Sequence, residues 1–197
     1  MGFAVAAALL EAGAQVDLVA GPVHLPTPAG VHRHDVQTAR EMRAAVMARI
    51  AGAEGFVGVA AVADYRPASE AGDKIKKSDE SMAVELVPNP DILAEVAGRD
   101  DRPPMVVGFA AETRDLEAAA RGKLEAKRLD LIAANRVGDG LGFDTEDNAL
   151  DVFSADEHWA LAPKAKPALA RELVAIIAEK MVQRESRSDE RPESQDS

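Results

Sequence analysis

The chain has 197 residues, 47% of them hydrophobic but only 4% aromatic, and its net charge is −11. That length suits one domain with a core of Ala, Val, Leu and Ile, and the acidic balance argues against a nucleic-acid surface, which needs a basic footprint. There is no cysteine, so disulfides and thiolate metal sites are excluded; no apolar run reaches the ~20 residues of a membrane span, no signal pattern opens the chain, and a cytoplasmic location is expected.

GFAVAAALLEA (2–12) predicts a helix of strong helix formers, closed by Gly13 at its C-terminus. VDLVAG (16–21) is a short buried strand. A helix followed so closely by a strand is the second half of a βαβ unit. Its opening strand, and the turn in which nucleotide-binding α/β folds carry their phosphate loop, are therefore expected ahead of Met1. A loop with Pro22, Pro26 and Pro28 leads to a short strand through Val31–Val36. His24, His32 and His34 sit around it without helical i, i+4 spacing and read as exposed loop histidines rather than metal ligands. TAREMRAAVMARIAG (38–52) predicts a helix. Thr38 and Glu41 have capping-box spacing, and Met42, Val46 and Ile50 form its buried stripe.

GFVGVAAVA (55–63) is a continuous apolar run, expected as a parallel strand covered on both faces. It feeds a loop with one carboxylate, Asp64, and three lysines, Lys74, Lys76 and Lys77. Small residues at Ala60, Ala61 and Ala63 allow a flat ligand to approach the backbone, and lysines neutralise phosphates. MAVELV (82–87) reads as a strand. PNPDILAEVA (88–97) opens a helix, with Asn89 as N-cap, Pro90 at the first helical position and Asp91 near the positive helix end. PPMVVGFAAE (103–112) is a buried strand, TRDLEAAARGKLEAKR (113–128) a helix with Lys123 and Lys127 on one face, and LDLIAAN (129–135) another strand. RVGDGLGFDTEDN (136–148) is a Gly- and Asp-rich loop; its glycines do not match GxGxxG. ALDVFS (149–154) is a strand, the candidate for an antiparallel place at the sheet edge, and PALARELVAIIAEKMVQR (167–184) an amphipathic helix. One domain over 1–183 is expected, with 184–197 a disordered tail.

Alternating strands and helices argue an α/β fold with a mostly parallel sheet. Loops that follow parallel strands gather at the C-terminal sheet edge, so Asp64, Lys74, Asn89, Asp91, Phe109 and Asn135 are expected to share one crevice. Composition and spacing leave the purpose of that crevice open: a strand-end Asp caps turns as readily as it binds a ribose, and paired helix lysines are ordinary surface residues.

AAVADYRP followed by KIKK, VPNPDIL, VVGFAAET and ANRV-GDGLGFDTEDNAL resembles the phosphopantothenate–cysteine ligase family, the phosphopantothenoylcysteine synthetase domain of coenzyme A biosynthesis, across about residues 1–180. The resemblance implies a Rossmann-like domain with helices on both faces that lacks the family's first strand and its asparagine loop. It implies a ligase that activates 4′-phosphopantothenate with CTP and Mg²⁺ as an acyl-cytidylate, then lets the amine of cysteine attack, releasing CMP and forming the amide. The implied nucleotide contacts are Ala60, Ala61, Asp64, Lys74, Asn89, Pro90, Asp91, Ile92, Phe109, Lys123 and Lys127. Lys74 is also the implied catalytic residue, and the lysine-rich segment within 72–81 that carries it is the implied flap over the site. The family further implies a homodimer and a functional link to phosphopantothenoylcysteine decarboxylase, with no FMN on this chain, no nucleic acid and no membrane. The alternative is an inactive nucleotide-binding fragment, and the 197-residue chain alone is expected to form little amide. A reductase-like dinucleotide binder is disfavoured by the missing glycine fingerprint.

Overall fold

The computed structural model describes residues 1–69, 71–76, 81–112, 115–136 and 147–189. Helix α1 (Gly2–Glu11) opens the chain. It ends as the glycine predicts: Gly13 sits at φ +93°, its amide donates to Leu10 O, and the amide of Ala14 donates to Leu9 O, the paired bonds of a Schellman motif. Strands β1 (Asp17–Ala20) and β2 (His32–Asp35) follow, then helix α2 (Ala39–Met47). Thr38 Oγ1 accepts from the amide of Glu41 at 3.1 Å and caps α2. Val46 and Ile50 are buried, with Met42 packed beside them. Strands β3 (Gly55–Gly58), β4 (Tyr65–Pro67) and β5 (Leu86–Pro88) lead to helix α3 (Ile92–Ala97). Then come β6 (Met105–Glu112), α4 (Leu116–Ala126), β7 (Leu131–Arg136), β8 (Asp147–Phe153), β9 (His158–Ala165) and α5 (Lys166–Asp189).

The main sheet has the order β3-β6-β7-β8-β9. β3, β6 and β7 are parallel, and β8 and β9 add antiparallel strands at one side. α1 and α5 cover one face, where Val5, Leu169, Leu173 and Ile177 pack on Val107, Leu131, Ala133 and Val152. α3 and α4 cover the other, where Val96, Leu116, Ala120 and Leu124 pack on Val106, Ile132, Ala134 and Phe153. β6 alternates between the faces, as a strand must. Gly58 and Gly108 are register partners on β3 and β6. A Cβ on Gly108 would lie 2.9 Å from Leu93 Cδ2 and 2.7 Å from Leu129 Cδ1, and one on Gly58 3.2 Å from Leu93 Cδ1. Leu93 is thus seated directly on two bare strand backbones, which draws the start of α3 down onto the sheet.

β1 and β2 form a separate parallel pair. Helices on both sides bridge it to the main sheet. On one side Phe3 of α1 lies under the Arg33 guanidinium of β2, 5.2 Å from its ring centroid, while Gly2 faces Val59 just beyond β3. On the other, Val19 of β1, Val46 of α2 and Phe56 of β3 share one cluster, and Arg43 of α2 pairs with Glu95 of α3. Among the described residues β1 and β3 lie under common helices with no ladder between them.

Several boundaries differ from expectation. The apolar run 55–63 is a strand only to Gly58, because its second half is mostly alanines that bury little area; Ala60, Ala61 and Ala63 are exposed. MAVELV forms a ladder only at Leu86 and Val87, leaving Met82 and Val84 exposed. The cap of α3 is Asp91, not Asn89: Asp91 Oδ1 accepts from the amide of Ala94 at 3.1 Å, so Pro90 precedes the helix. β9 has no counterpart in the sequence reading, since Pro163 and polar neighbours hide an alternation that turns Trp159 and Leu161 inward. α5 continues through Asp189, so the first residues of the expected tail are helical. Lys77, Thr113, Arg114, most of the loop 136–148 and residues 190–197 lie outside the described residues.

Candidate functional site

The sequence-predicted residues Asp64, Asn89, Asp91 and Lys127 are joined by a chain of contacts beyond the end of β3. The amide of Asn89 donates to Asp64 O at 2.7 Å, and Asn89 Nδ2 donates to Ala63 O at 2.8 Å. Arg66 donates to Pro88 O and, at 3.3 Å, to Asn89 Oδ1. This fixes the 63–66 and 88–89 backbones side by side, as does the antiparallel pairing of β4 with β5. Two residues on, Asp91 turns one carboxylate oxygen to cap α3 and the other to Lys127 Nζ, 2.7 Å away. Lys127 is the C-cap residue of α4, one turn from Lys123. Lys123 Nζ donates to Glu112 Oε1 at 2.6 Å, at the last residue of β6.

Burial pushes the Asp91 carboxyl up. The hydrogen bond and charge of Lys127 and the amides of Ala94 and Leu93 outweigh it and hold the group below the usual carboxylate range. A depressed acid stabilises the fold above its unfolded pKa, and that contribution is lost as pH falls through the folded value. At neutral pH Asp91 is therefore charged and Lys127 is held.

Ala60 and Ala61 are exposed just after β3, and the amide of Val62 donates to Ala60 O at 3.1 Å. Ile92 is buried at the start of α3 and Pro90 is half-buried. Lys74 and Lys76 lie exposed in the irregular segment between β4 and β5, and no described contact joins Lys74 to the other candidates. Phe109 packs with the cluster under α1 and α5, on the opposite face of β6 from the two lysines. Asn135 pairs in register with Ala111. Two residues escaped the sequence reading, Arg66 and Glu112. Both stood inside motifs already singled out, YRP and AAE, where an arginine or acid next to the predicted ligands was the available signal. Among the described residues no group of three or more acids or histidines is placed to hold a metal.

Adjacent carboxylate-held lysines, an accessible small-residue backbone and a strand-end acid at one sheet edge suit a polyanionic ligand with hydroxyl or amino groups. The family model for the DFP, or DNA/pantothenate metabolism flavoprotein, C-terminal domain matches residues 1–181. The Coenzyme A biosynthesis bifunctional protein CoaBC of Vibrio cholerae is 50% identical over 184 residues, covering 92% of this chain and 46% of that protein. The CoaBC of Escherichia coli is 48% identical over 181 residues, covering 90% and 43%. The chain thus spans a little under half the length of these curated relatives. Among solved structures, a crystal structure of the C-terminal domain of CoaBC has TM-score 0.74 and 32% identity, over 92% of this chain and 82% of that one. A Cab2 mutant in complex with phosphopantothenate-cysteine has TM-score 0.64 at 16% identity, over 81% and 56%, a likeness of fold.

Proposed function

This chain belongs to the DNA/pantothenate metabolism flavoprotein C-terminal domain family, and we propose that it is the ligase domain of coenzyme A biosynthesis, joining cysteine to 4′-phosphopantothenate at the expense of CTP. The observation that carries the reading is the pair of helix lysines, Lys123 and Lys127, each brought to an acid at the strand-end turns. In this reading Ala60, Ala61 and Asp64 take the base and ribose. The turn Asn89–Ile92 and the two lysines take the phosphates, and Lys74 closes on the reacting carboxylate. Phe109 would meet the nucleotide from the other face of β6. Mg²⁺ would arrive on the triphosphate, held by phosphate oxygens and water. The acyl-cytidylate forms as the substrate carboxylate attacks the α-phosphate and pyrophosphate leaves. Fixed cations stabilise the charge that develops on the leaving group. The cysteine amine then attacks the acyl carbon and CMP departs.

Calorimetric titration with CTP, ATP and UTP, followed by mass spectrometry of a reaction with 4′-phosphopantothenate and cysteine, tests the assignment. CTP is expected to bind most tightly, and whatever little phosphopantothenoylcysteine this chain forms is expected to require CTP. Binding of none of the three would end the nucleotide reading. CTP binding without amide is the result that favours the fragment reading. The cytoplasm is the proposed location; no helix among the described residues is long and apolar enough to cross a membrane.

A homodimer is also proposed. An isolated two-stranded sheet is marginal in water, yet β4 and β5 expose Tyr65 at 60% and Leu86 at 56%, with Val84 and Met82 beside them. A second copy related by a two-fold axis would cover this apolar strip isologously. Tyr65→Asp together with Leu86→Asp is expected to convert a dimer of about twice the 20.8 kDa chain mass into monomer in light scattering. A dimer that survives both substitutions would place the interface elsewhere.

A further inference from the structure

We propose that Glu112 is a positioning residue of the nucleotide site, holding Lys123 where a phosphate can take it; this rests on the nucleotide reading above. β6 sends Val106, Gly108 and Ala110 to the face covered by α3 and α4. Two residues further, the same face carries a carboxylate. Its Oε1 accepts a hydrogen bond from Lys123 Nζ at 2.6 Å. The glutamate side chain is 18% exposed and the lysine 47%. The acid is thus set in the strand end while the ammonium remains open to solvent. An ammonium has three donors, so Glu112 engages one and leaves two for phosphate oxygens. Without the acid, a long side chain on a helix surface would have to be ordered by the ligand itself, which weakens binding by the rotamer freedom lost. Lys127 is arranged alike: Asp91 is pinned by its bond to the Ala94 amide and offers its second oxygen to the lysine. Protein kinases use a lysine–glutamate pair to the same end at their own phosphates.

The negative charge of Glu112 opposes an incoming phosphate, and the geometry points to positioning as the larger effect. The test is a double-mutant cycle read by titration with CTP and with inorganic tripolyphosphate. Glu112→Ala is expected to weaken CTP about tenfold, and Lys123→Ala to do the same, while the double variant is no weaker than Lys123→Ala alone, the non-additivity of residues acting as a unit. Glu112→Gln keeps an acceptor oxygen at the same reach and is expected to recover part of the loss. Glu112→Ala binding CTP as tightly as wild type, or more tightly, would overturn the proposal, as would losses that add in the double variant. A wild-type protein that binds neither ligand would remove the nucleotide reading and this proposal with it; wild-type binding left unchanged by Glu112→Ala removes the role of Glu112 alone.

Discussion

Asp130→Ala is expected to destabilise the fold by about 3 kcal/mol. Asp130 lies just before β7, with its side chain 20% exposed. One carboxylate oxygen accepts from the Arg102 guanidinium and from the amide of Val106, the latter at 2.7 Å. The other accepts from Arg184 of α5 at 2.6 Å. Arg102 also donates to Arg128 O and Arg184 to Pro104 O. One acid thus gathers the start of β6, the turn after α4 and the end of α5. Its removal leaves a half-buried guanidinium and a strand amide without their acceptor, which costs more than losing a solvent-exposed pair. Arg184→Ala is the control: its side chain is 53% exposed and its loss is expected to cost under about 1 kcal/mol. Urea denaturation of the two variants gives the comparison. Equal losses would mean that solvent already satisfies the network.

Lys74→Gln is expected to slow amide formation on the order of 10²-fold, the scale of removing one donor from a developing negative charge. The assay belongs in a full-length protein of the family carrying this domain, supplied with CTP, 4′-phosphopantothenate and cysteine. Lys74 is exposed in the segment between β4 and β5, so the thermal midpoint is expected to stay within error of wild type. A wild-type rate in the variant would take the reaction away from Lys74 and leave the helix lysines as the functional cations. A lower rate with a lowered midpoint would point to a structural effect instead.

The helices were legible because their signals are local. Thr38 with Glu41, Gly13 and the Met42–Val46–Ile50 stripe each declare a cap or a face within a few residues, and each is found in place. Strand ends were less legible, since a ladder stops where its partner stops. Nothing within 59–63 says that β6 goes on past Gly108 along β7. β9 was hidden because Pro163 argues against a strand interior, yet an edge strand tolerates it. At the site, proximity was legible from topology and pairing was not. The four-residue spacing placed Lys123 and Lys127 on one face, but which acids hold them depends on how closely α3 and α4 approach β6. That distance is set by the bare backbones of Gly58 and Gly108 beneath Leu93. The cap of α3 falls on Asp91 rather than Asn89 for a local reason. Its carboxylate competes with Asn89 for the helix start, and Asn89 is already committed to Ala63.

The seam between the two sheets bears on how the protein yields. Stability within a domain is distributed over units that can open separately. Among the described residues β1 and β2 share a ladder only with each other, and they are held to the rest by side-chain packing from α1 and α2 and by contacts such as Arg33 on Phe3. Side-chain packing resists separation less cooperatively than a continuous ladder does. By that principle the β1–β2 half is expected to open before the five-stranded sheet, to which Asp91, Glu112 and both helix lysines are anchored, an order that amide hydrogen exchange reads directly. The phosphate end of the proposed site is therefore built on the firmer unit.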